Sequence, residues 1–356
     1  MAAAAASMHP LNDHSAPRPG VRTRATPAPT TSPSLSVVIV NYCQWQNTAW
    51  LTHQLRQSAL ARSGGAEVVI VDNHSPNHPL RKKLRRLEGV SLRRFGRNRG
   101  FARAVNEGCR LSRGDWFLLL NPDTSVPPGF LDEVEALTHH LDSRIGVVGL
   151  GVRDADGAVQ PSCGPTPTLG RIILGLLRPR AERRCRALQV EERVEVPWAT
   201  GCALLIRRKC LEEIGGFDPA FFLYYEDVDF CRRAAQRGWR ILHEPRVRVK
   251  HHTPLHGRKV PAALLLMTRH ALLTYARKHW SGWRARLLGG IVATESLVRQ
   301  AVAWKRGRAE EVAIHQEIRQ LAREVLAGEK RGVRSRIRAA AESLQTASAA
   351  QDGATW

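Results

Sequence analysis

The chain has 356 residues, 43% of them hydrophobic, so it can bury the core of one large domain or two ordinary ones. Its 54 lysines and arginines outnumber 32 aspartates and glutamates, and the formal net charge of +22 favours an anionic partner: nucleic acid, an anionic membrane surface or a phosphorylated small molecule. No apolar run reaches the roughly 18 residues that a membrane-spanning helix requires, so no transmembrane segment is predicted.

The cysteines indicate a reducing compartment. There are 7 of them, they form no Cys-x-x-Cys pair, and several lie within apolar runs. This pattern favours buried reduced thiols over a disulfide framework or a zinc site. The opening stretch "MAAAAASMHP" lacks the basic region of a secretory signal, and we therefore expect a cytoplasmic protein.

The first half of the chain alternates between two kinds of pattern. Residues 1–34 are rich in Ala, Pro, Ser and Thr, which predicts a disordered N-terminal tail. After it, apolar runs typical of buried strands alternate with stretches that have helical spacing. The predicted strands are 35–42, 67–73, 90–95, 115–121 and 145–150. This alternation predicts an α/β fold, a mostly parallel sheet flanked by helices that binds ligands at the carboxyl ends of its strands.

The second half is less regular and ends in helices. The pattern weakens between about 160 and 200, and strand character returns in "WRILHE" and "VRVKHH". From about 262 onward the chain is predicted to be helical, with 13 Lys or Arg against 7 Asp or Glu in 281–345. We therefore expect a main α/β domain over 35–258, a basic helical region over 259–345 and a flexible tail over 346–356.

Polar residues mark the ends of three predicted strands. Asn41 and Asp72 close the first two strands, and Asp123 follows the fourth after Asn121 and a proline. Asp72 can accept hydrogen bonds from a nucleobase edge or from loop amides, although a turn residue is the commoner interpretation. A carboxylate such as that of Asp123 is a ligand for Mg²⁺ or Mn²⁺ bound to a diphosphate, or an ordinary turn residue before Pro127.

A basic segment adjoins a predicted helix start. Asn98 and Gly100 precede a helix that begins near Phe101, and such a corner attracts anions. Residues 81–113 contain 12 Lys or Arg and 2 acids, a balance that would attract a diphosphate. An ordinary N-cap and a solvated basic helix face remain the alternatives.

Three acids stand directly behind an apolar segment in "FFLYYEDVDF". Glu226, Asp227 and Asp229 open a predicted helix, where acids complement the helix dipole. That effect explains one acid but not their placement behind five uncharged residues, and a partly desolvated carboxylate makes a better general base. Close behind in sequence, strand alternation makes His251 a candidate metal ligand, although a lone histidine is more often structural.

In this order, the stretches resemble the family 2 glycosyltransferases. The matching stretches are "SVVIVNY", "VDNHSP", "NRGFARAVNEG", "LLLNPDT", "GCALLIRR", "IGGFDPAFFLYYEDVDFCRR" and "VKHH", which cover roughly residues 36–255. No one of them is specific, but their succession is. "NPDT" and "EDVDFCRR" are most similar to the rhamnosyltransferase-like branch. The resemblance implies a catalytic domain with the Rossmann-like GT-A fold and an inverting, metal-dependent hexosyltransferase.

The resemblance also implies a role for each matching residue. Asp227 would be the general base, and Asp123 and His251 would hold Mg²⁺ or Mn²⁺. The donor-binding residues would be Asn41, Asp72, Asn98, Gly100, Asn121 and Asp123, and the supporting residues Glu226, Asp229 and Arg233. Tyr224 or Tyr225 would floor the acceptor site. Two departures leave questions open, because Asn-Pro-Asp replaces the usual Asp-x-Asp and His252 is an alternative to His251.

The implied reaction moves a sugar, with rhamnose a candidate, from a nucleotide-sugar donor to a hydroxyl of a glycan or lipid-linked acceptor in surface polysaccharide synthesis. Three alternatives compete with it. A nucleic-acid-binding protein explains the charge but not the strand-end acids, so no nucleic acid partner is expected. A nucleotidyltransferase would carry a Gly-rich loop where "NYCQWQN" stands, and an inactive family member would be expected to lack Asp123 or Asp227.

The stretch 287–308 in the helical region sets apolar beside basic residues. Such a helix can lie on an anionic bilayer or pack onto the catalytic domain or a partner subunit. We therefore expect peripheral contact with the inner face of the plasma membrane.

Overall fold

The computed structural model describes residues 32–176, 185, 187–252 and 261–352 of the chain. The predicted N-terminal tail lies almost entirely outside these residues. The strands are β1 (Leu35–Asn41), β2 (Ala66–Asp72), β3 (Val90–Arg94), β4 (Trp116–Leu120), β5 (Thr124–Ser125), β6 (Ile145–Arg153), β7 (Val194–Glu195), β8 (Ala203–Arg207) and β9 (Arg240–His251). The helices are α1 (Trp45–Leu55), α2 (Ala59–Arg62), α3 (Pro79–Leu84), α4 (Phe101–Leu111), α5 (Phe130–His139), α6 (Leu169–Leu176), α7 (Arg208–Ile214), α8 (Glu226–Gln236), α9 (Ala262–His279), α10 (Gly282–Lys305), α11 (Ala309–Ala327) and α12 (Lys330–Asp352).

The strands form one mixed sheet in the order β3-β2-β1-β4-β8-β6-β9-β5, with β7 paired to β9. The segment β3-β2-β1-β4 is parallel, as expected, and so is the β6–β9 pair. Strand β8 enters antiparallel between β4 and β6, and this makes the sheet mixed. The apolar stretch of β8 was noted as a motif but not predicted as a strand.

Strand β9 is continuous where two separate strands were predicted. Its pairing with β6 shifts register between Leu150 and Gly151, where the partner residue moves from Glu244 to Arg248. Pro245 lies inside that shift and has no N–H to donate, so a bulge is the arrangement that keeps the strand in the sheet. The bulge lets one strand carry His251 from the core to the site edge.

Both faces of the sheet are buried, each against its own apolar cluster. Along β1, Val38 and Val40 face one cluster, and Val37 and Ile39 face the other. This alternation is that of a strand covered on both sides, and it explains the unbroken apolar run. Helix α4 lies close on the first face, because a Cβ at Gly108 would come within 2.3 Å of Val38.

Two predicted helices are shorter than their patterns suggested. The helical spacing of Trp50, Leu51, Leu55 and Ala59 predicts a longer helix, but α1 ends at Leu55 and Trp50 is exposed. The spacing of Leu80, Leu84 and Leu87 likewise predicts a helix through Leu87, but α3 ends at Leu84. In both places the helix stops before the last residue of the apolar pattern.

The C-terminal helices share an apolar cluster with the sheet. Leu273 and Tyr275 of α9, Leu288 of α10 and Leu321 of α11 belong to the cluster that covers Val38. Helix α12 runs to Asp352, past the predicted end of the helical region, and residues 353–356 lie outside the described part of the chain. None of the helices in the described ranges is both long and apolar enough to cross a membrane.

Candidate active site

The carboxyl ends of the parallel strands bring the predicted polar residues to one edge of the sheet. Asn41 pairs with Asp72 in register at the ends of β1 and β2, and both are fully buried. The Asn41 amide donates to Asp72 Oδ1 (3.2 Å) and Ser75 Oγ (3.0 Å), and its oxygen accepts from Thr48 Oγ1 (2.8 Å). Asn41 therefore orients Asp72 from behind, with its own hydrogen-bonding groups engaged by the protein.

Asp72 keeps one oxygen oriented for a further donor. Its Oδ1 accepts from the Ser75 amide at 3.0 Å. Its Oδ2 is buried and lies 3.3 Å from Arg94 Nε, an ion pair whose geometry does not make a hydrogen bond. A buried carboxylate oxygen without a hydrogen bond is costly, so an N–H group of a ligand at this position would be stabilised.

A polar bridge fixes the basic loop before α4. Asn73 donates to Asn98 Oδ1 (2.8 Å) and accepts from the Arg99 amide (2.8 Å), and Asn98 Oδ1 also accepts from the Gly100 amide (2.9 Å). Sequence reasoning selected Asn98 and Gly100 but missed Asn73. The bridge holds the loop against the end of β2, beside Asp72.

Gly100 is required by its backbone and by its neighbour. Its φ is +86°, and a Cβ would come within 2.7 Å of the Phe222 carbonyl oxygen. That carbonyl accepts from the Phe101 amide at 2.7 Å, so the basic loop contacts the segment that precedes the acids. Tyr224 and Tyr225 follow with φ of 73° and 64°, a backbone conformation that is unfavourable for tyrosine and persists where the surroundings enforce it.

Asp123 and His251 lie together, because β5 pairs with β9 so that Thr124 is opposite His251. The Asp123 Oδ1 atom is 3.3 Å from His251 Nε2. The other ring nitrogen, Nδ1, lies 2.9 Å from Nε2 and 3.1 Å from Oε1 of Gln160, a residue that sequence reasoning missed. His252 follows the end of β9 and is exposed. Its ring Nε2 contacts Ser125 Oγ at 2.9 Å, and its amide donates to the Asp123 carbonyl at 3.0 Å.

The surroundings of His251 favour a positive charge on its ring, which a proton supplies in the absence of a cation. Burial alone would lower its pKa, but the Cys202 thiol and the Asp123 carboxylate outweigh burial and raise the pKa to about 10. A cation on Nε2 needs the neutral imidazole and would compete with that proton. The Gln160 contact at Nδ1 is the kind of outer contact that orients metal-bound histidines.

The pair fits two neighbouring positions around a hard cation. Bonds of about 2.1 Å at a right angle would put the donor atoms about 3 Å apart, close to the separation seen here. Within the described ranges, no group of three or more His, Cys, Asp or Glu side chains could hold a metal ion. The Asn121 carbonyl accepts from Thr124 Oγ1 (2.7 Å), and its amide donates to the Cys202 carbonyl (3.0 Å).

Asp227 occupies the first turn of α8 and is 3% exposed. Its Oδ1 accepts from the Val228 amide (2.8 Å) and its Oδ2 from the Gly201 amide (3.2 Å). Free amides and the helix dipole favour an anion at such a position. Glu226 is buried beside it, as predicted for a carboxylate set behind an apolar segment.

Asp229 has a different surrounding, because it is directed at the C-terminal helix α9. It accepts from Arg233 Nε (2.8 Å) and lies 2.7 Å from His279 Nε2 and 2.8 Å from Lys278 Nζ. Burial would raise its pKa, but the hydrogen bond from His279 and the charge of Arg233 hold the pKa at about 2. Arg233 also donates to the Gly216 carbonyl (2.7 Å). Asp229 and Arg233 thus tie α8 to α9 and to the turn at Gly216.

Two further polar residues escaped sequence reasoning. The Asn106 side chain donates to the Phe217 carbonyl (2.7 Å) and accepts from the Phe217 amide (2.8 Å). These two hydrogen bonds fix the turn that precedes Phe221–Tyr225. Tyr42, next to Asn41, donates its hydroxyl to the Ala341 carbonyl of α12 (2.8 Å), and burial raises its pKa to about 12. Helix α12 therefore touches the chain directly beyond β1, close to the predicted donor residues.

A mixed sheet with carboxylates at its strand ends and a buried acid at a helix start is the GT-A architecture of nucleotide-sugar-dependent glycosyltransferases. A family model described as "Glycosyltransferase like family 2" matches residues 33–271, and the chain belongs to this family. The chain is 32% identical over 301 residues to N-acetylglucosaminyl-diphospho-decaprenol L-rhamnosyltransferase of Mycobacterium tuberculosis, covering 77% of this chain and 96% of that protein.

Other comparisons agree on family and fold. The low-salt glycan biosynthesis hexosyltransferase Agl10 of Haloferax volcanii is 29% identical over 212 residues, covering 58% of this chain and 63% of that protein. Among solved structures, GalNAc-T7 with UDP, GalNAc and Mn²⁺ superposes with a TM-score of 0.50 at 19% identity, covering 69% of this chain and 48% of that one. The predicted family and GT-A fold are confirmed.

Proposed function

We propose that the protein transfers a sugar from a nucleoside-diphosphate donor to an acceptor hydroxyl, with inversion at the anomeric carbon. The observation that carries the proposal is the dipeptide Gly201–Cys202, which joins the two halves of the site. The Gly201 amide holds Asp227, while Cys202 contacts His251 and accepts from the Asn121 amide. A base and a candidate cation pair are thereby held on adjacent residues of one chain segment.

Asp227 is the proposed general base. Inversion needs one in-line displacement, in which the acceptor hydroxyl loses its proton as it attacks. Each Asp227 oxygen accepts a protein amide, and these amides fix the position from which the carboxylate would take that proton. Tyr224 and Tyr225, held in a left-handed backbone just before α8, are proposed to floor the acceptor site.

Asp123 and His251 are the proposed ligands of Mg²⁺ or Mn²⁺. The bound ion would supply Lewis-acid stabilisation of the departing nucleoside diphosphate. With its Oε1 accepting from Nδ1–H, Gln160 would hold His251 in the tautomer whose Nε2 lone pair faces Asp123. Asp72 Oδ2 would accept from the nucleobase, and the loop at Asn98 and Gly100 would line the cleft.

The donor and acceptor are proposed from the printed activity of the Mycobacterium tuberculosis relative. That protein is an L-rhamnosyltransferase for N-acetylglucosaminyl-diphospho-decaprenol. We propose a rhamnosyl donor and a lipid-linked acceptor for this chain, with a glycan hydroxyl as the alternative acceptor. The proposed setting is surface polysaccharide synthesis in the cytoplasm.

A panel of nucleotide-sugars tests the proposal. With Mn²⁺ present, a nucleoside-diphosphate rhamnose should raise the unfolding temperature of the chain by a few degrees, because a ligand that binds the folded chain stabilises it. Transfer should then stop in excess chelator and return with Mn²⁺ or Mg²⁺, and the product should show the inverted anomeric configuration by NMR. Full activity in excess chelator, or a retained configuration, would contradict the metal role or the inverting mechanism respectively.

A further inference from the structure

Helix α10 has two apolar faces, and only one of them is packed. Its inner face contributes Leu288 and Val292 to the apolar cluster shared with the sheet. In the part of the chain that the structure describes, 10 large hydrophobic side chains are exposed, and 6 of them lie on α10. These 6 residues, which we call the outer face, are Trp283, Leu287, Leu297, Val298, Val302 and Trp304.

The outer face runs the whole length of the helix. Trp283, Leu287, Val298 and Val302 follow helical spacing along one side, and Leu297 and Trp304 lie next to them. The two tryptophans stand at opposite ends, about 30 Å apart at 1.5 Å per residue. Trp283 is 59% exposed and Trp304 is 74% exposed, and exposing such large apolar side chains to water is unfavourable. Tryptophan is also the side chain that best suits a membrane–water boundary.

The charges around the outer face are positive. Arg284 and Arg286 flank it at one end, and Lys305 and Arg306 flank it at the other. The acid of this helix, Glu295, is engaged by Arg269 (2.6 Å) and Arg299 (2.9 Å). On α10 and the residue after it, the free charge at both ends is therefore basic.

We propose that the outer face of α10 docks on the surface of an anionic lipid bilayer, with the helix parallel to the membrane plane. An apolar face between basic ends matches acyl chains between anionic headgroups. A second copy of the chain fits less well, because pairing two such helices in either direction would bring basic ends together. The proposal goes beyond the transfer reaction, since it concerns the surface on which the enzyme works.

Vesicle flotation of the full chain tests the proposal. We expect binding to vesicles of equal parts phosphatidylcholine and phosphatidylglycerol, and little binding to phosphatidylcholine alone. The double variant W283S/W304S should bind at least about tenfold more weakly, because two interfacial anchors are lost. The matched control W50S removes a tryptophan that is also 59% exposed but lies on α1, and it should bind as the parent does.

Charge variants separate the docking face from the overall basic charge. The quadruple variant R284Q/R286Q/K305Q/R306Q should weaken binding by more than about tenfold, since each basic residue near an anionic surface contributes. A control with four other exposed basic residues replaced, K82Q/K83Q/R85Q/R86Q on and beside α3, should bind much more tightly than that variant. Equal loss in both would assign binding to net charge and overturn the proposal.

Two further measurements distinguish the other outcomes. Sedimentation velocity without lipid should show a monomer, and a dimer that W283S/W304S abolishes would overturn the proposal in favour of a second copy. Transfer to a water-soluble acceptor without vesicles should be unchanged in W283S/W304S. Membrane docking and the transfer reaction can therefore fail independently.

Discussion

At the scale of single residues, the site is held by polar contacts that span the chain. His251 meets Gln160 across 91 residues of sequence, and Asn106 meets Phe217 across 111. Contacts of this kind fix parts of the candidate site that are far apart in sequence. Their substitution should change how well the site is organised while the fold persists.

Replacing Gln160 by leucine should weaken the use of metal. The side chain at Nδ1 orients His251 toward Asp123, and outer contacts of this kind typically contribute about 10–100-fold in metal affinity. We expect the Mn²⁺ concentration at half-maximal transfer to rise by that factor, measured by titration after chelation. Gln236→Leu, on an exposed position of α8, serves as control, and an unchanged Mn²⁺ requirement in Gln160→Leu would refute the role.

Replacing Asp229 by asparagine should destabilise the chain at neutral pH. The folded pKa of about 2 lies below the ordinary aspartate pKa of 3.8, so the ionised form stabilises the fold above about pH 4, and this stabilisation is lost as pH falls toward 2. The shift corresponds to about 2 kcal/mol in the free energy of unfolding at pH 7. Urea unfolding should show the difference between parent and variant shrinking as pH falls from 4, and a difference independent of pH would contradict the assignment.

Sequence patterns selected some residues of the candidate site and missed others for a physical reason. Asn41, Asp72, Asp123 and Asp227 interrupt apolar periodicity at strand or helix ends, where a local pattern is visible. Tyr42 gives no such signal, because its hydroxyl pairs with a backbone carbonyl 299 residues away. Contacts of that kind depend on tertiary packing, which no window of sequence contains.

At the scale of elements, α8 carries the proposed base, and α9 supports it. His279 and Lys278 at the end of α9 contact Asp229, two residues beyond the proposed base. A second contact joins Tyr275 of α9 to Tyr225, which directly precedes α8, with the two ring centroids 5.6 Å apart. The position of Asp227 therefore depends on a helix outside the nucleotide-binding strands.

Replacing His279 by alanine should lower turnover about tenfold with little change in donor affinity, because the start of α8 loses a buried hydrogen bond. His279→Gln can place an N–H donor near the position of Nε2 and should recover part of the rate. His140→Ala, on an exposed position after α5, is the control. A rate loss that Gln does not recover, or that appears equally in donor affinity, would contradict a positioning role.

Element boundaries show which patterns local sequence settles. The buried strands β1, β2 and β4 were predicted because both faces of the sheet are covered and their apolar runs are unbroken. Strand β8 was not predicted, because its antiparallel position between β4 and β6 depends on those neighbouring strands. That β9 is one continuous strand was not predicted either, because the bulge at Pro245 depends on its pairing with β6. Helix α9 was predicted as a helix, but its packing on α8 carries no local signal.

At the scale of the whole molecule, the C-terminal helices are part of the catalytic body. Residues of α9, α10 and α11 share the apolar cluster of the sheet, and α12 reaches Tyr42. Ending the chain at residue 258 would expose that cluster. We expect the shortened chain to lose cooperative thermal unfolding by circular dichroism and to bind a hydrophobic dye, and a cooperative transition near that of the full chain would show the helices to be dispensable.

The most direct test of the proposed reaction is turnover of Asp227→Asn measured together with donor affinity. The amide keeps the shape of the side chain but cannot take a proton, and loss of a positioned base typically costs on the order of 10²–10⁴ in rate. We predict that loss with donor affinity nearly unchanged, while Asp156→Asn, an exposed carboxylate replaced in the same way, transfers normally. Near-normal turnover in Asp227→Asn would contradict the proposed mechanism.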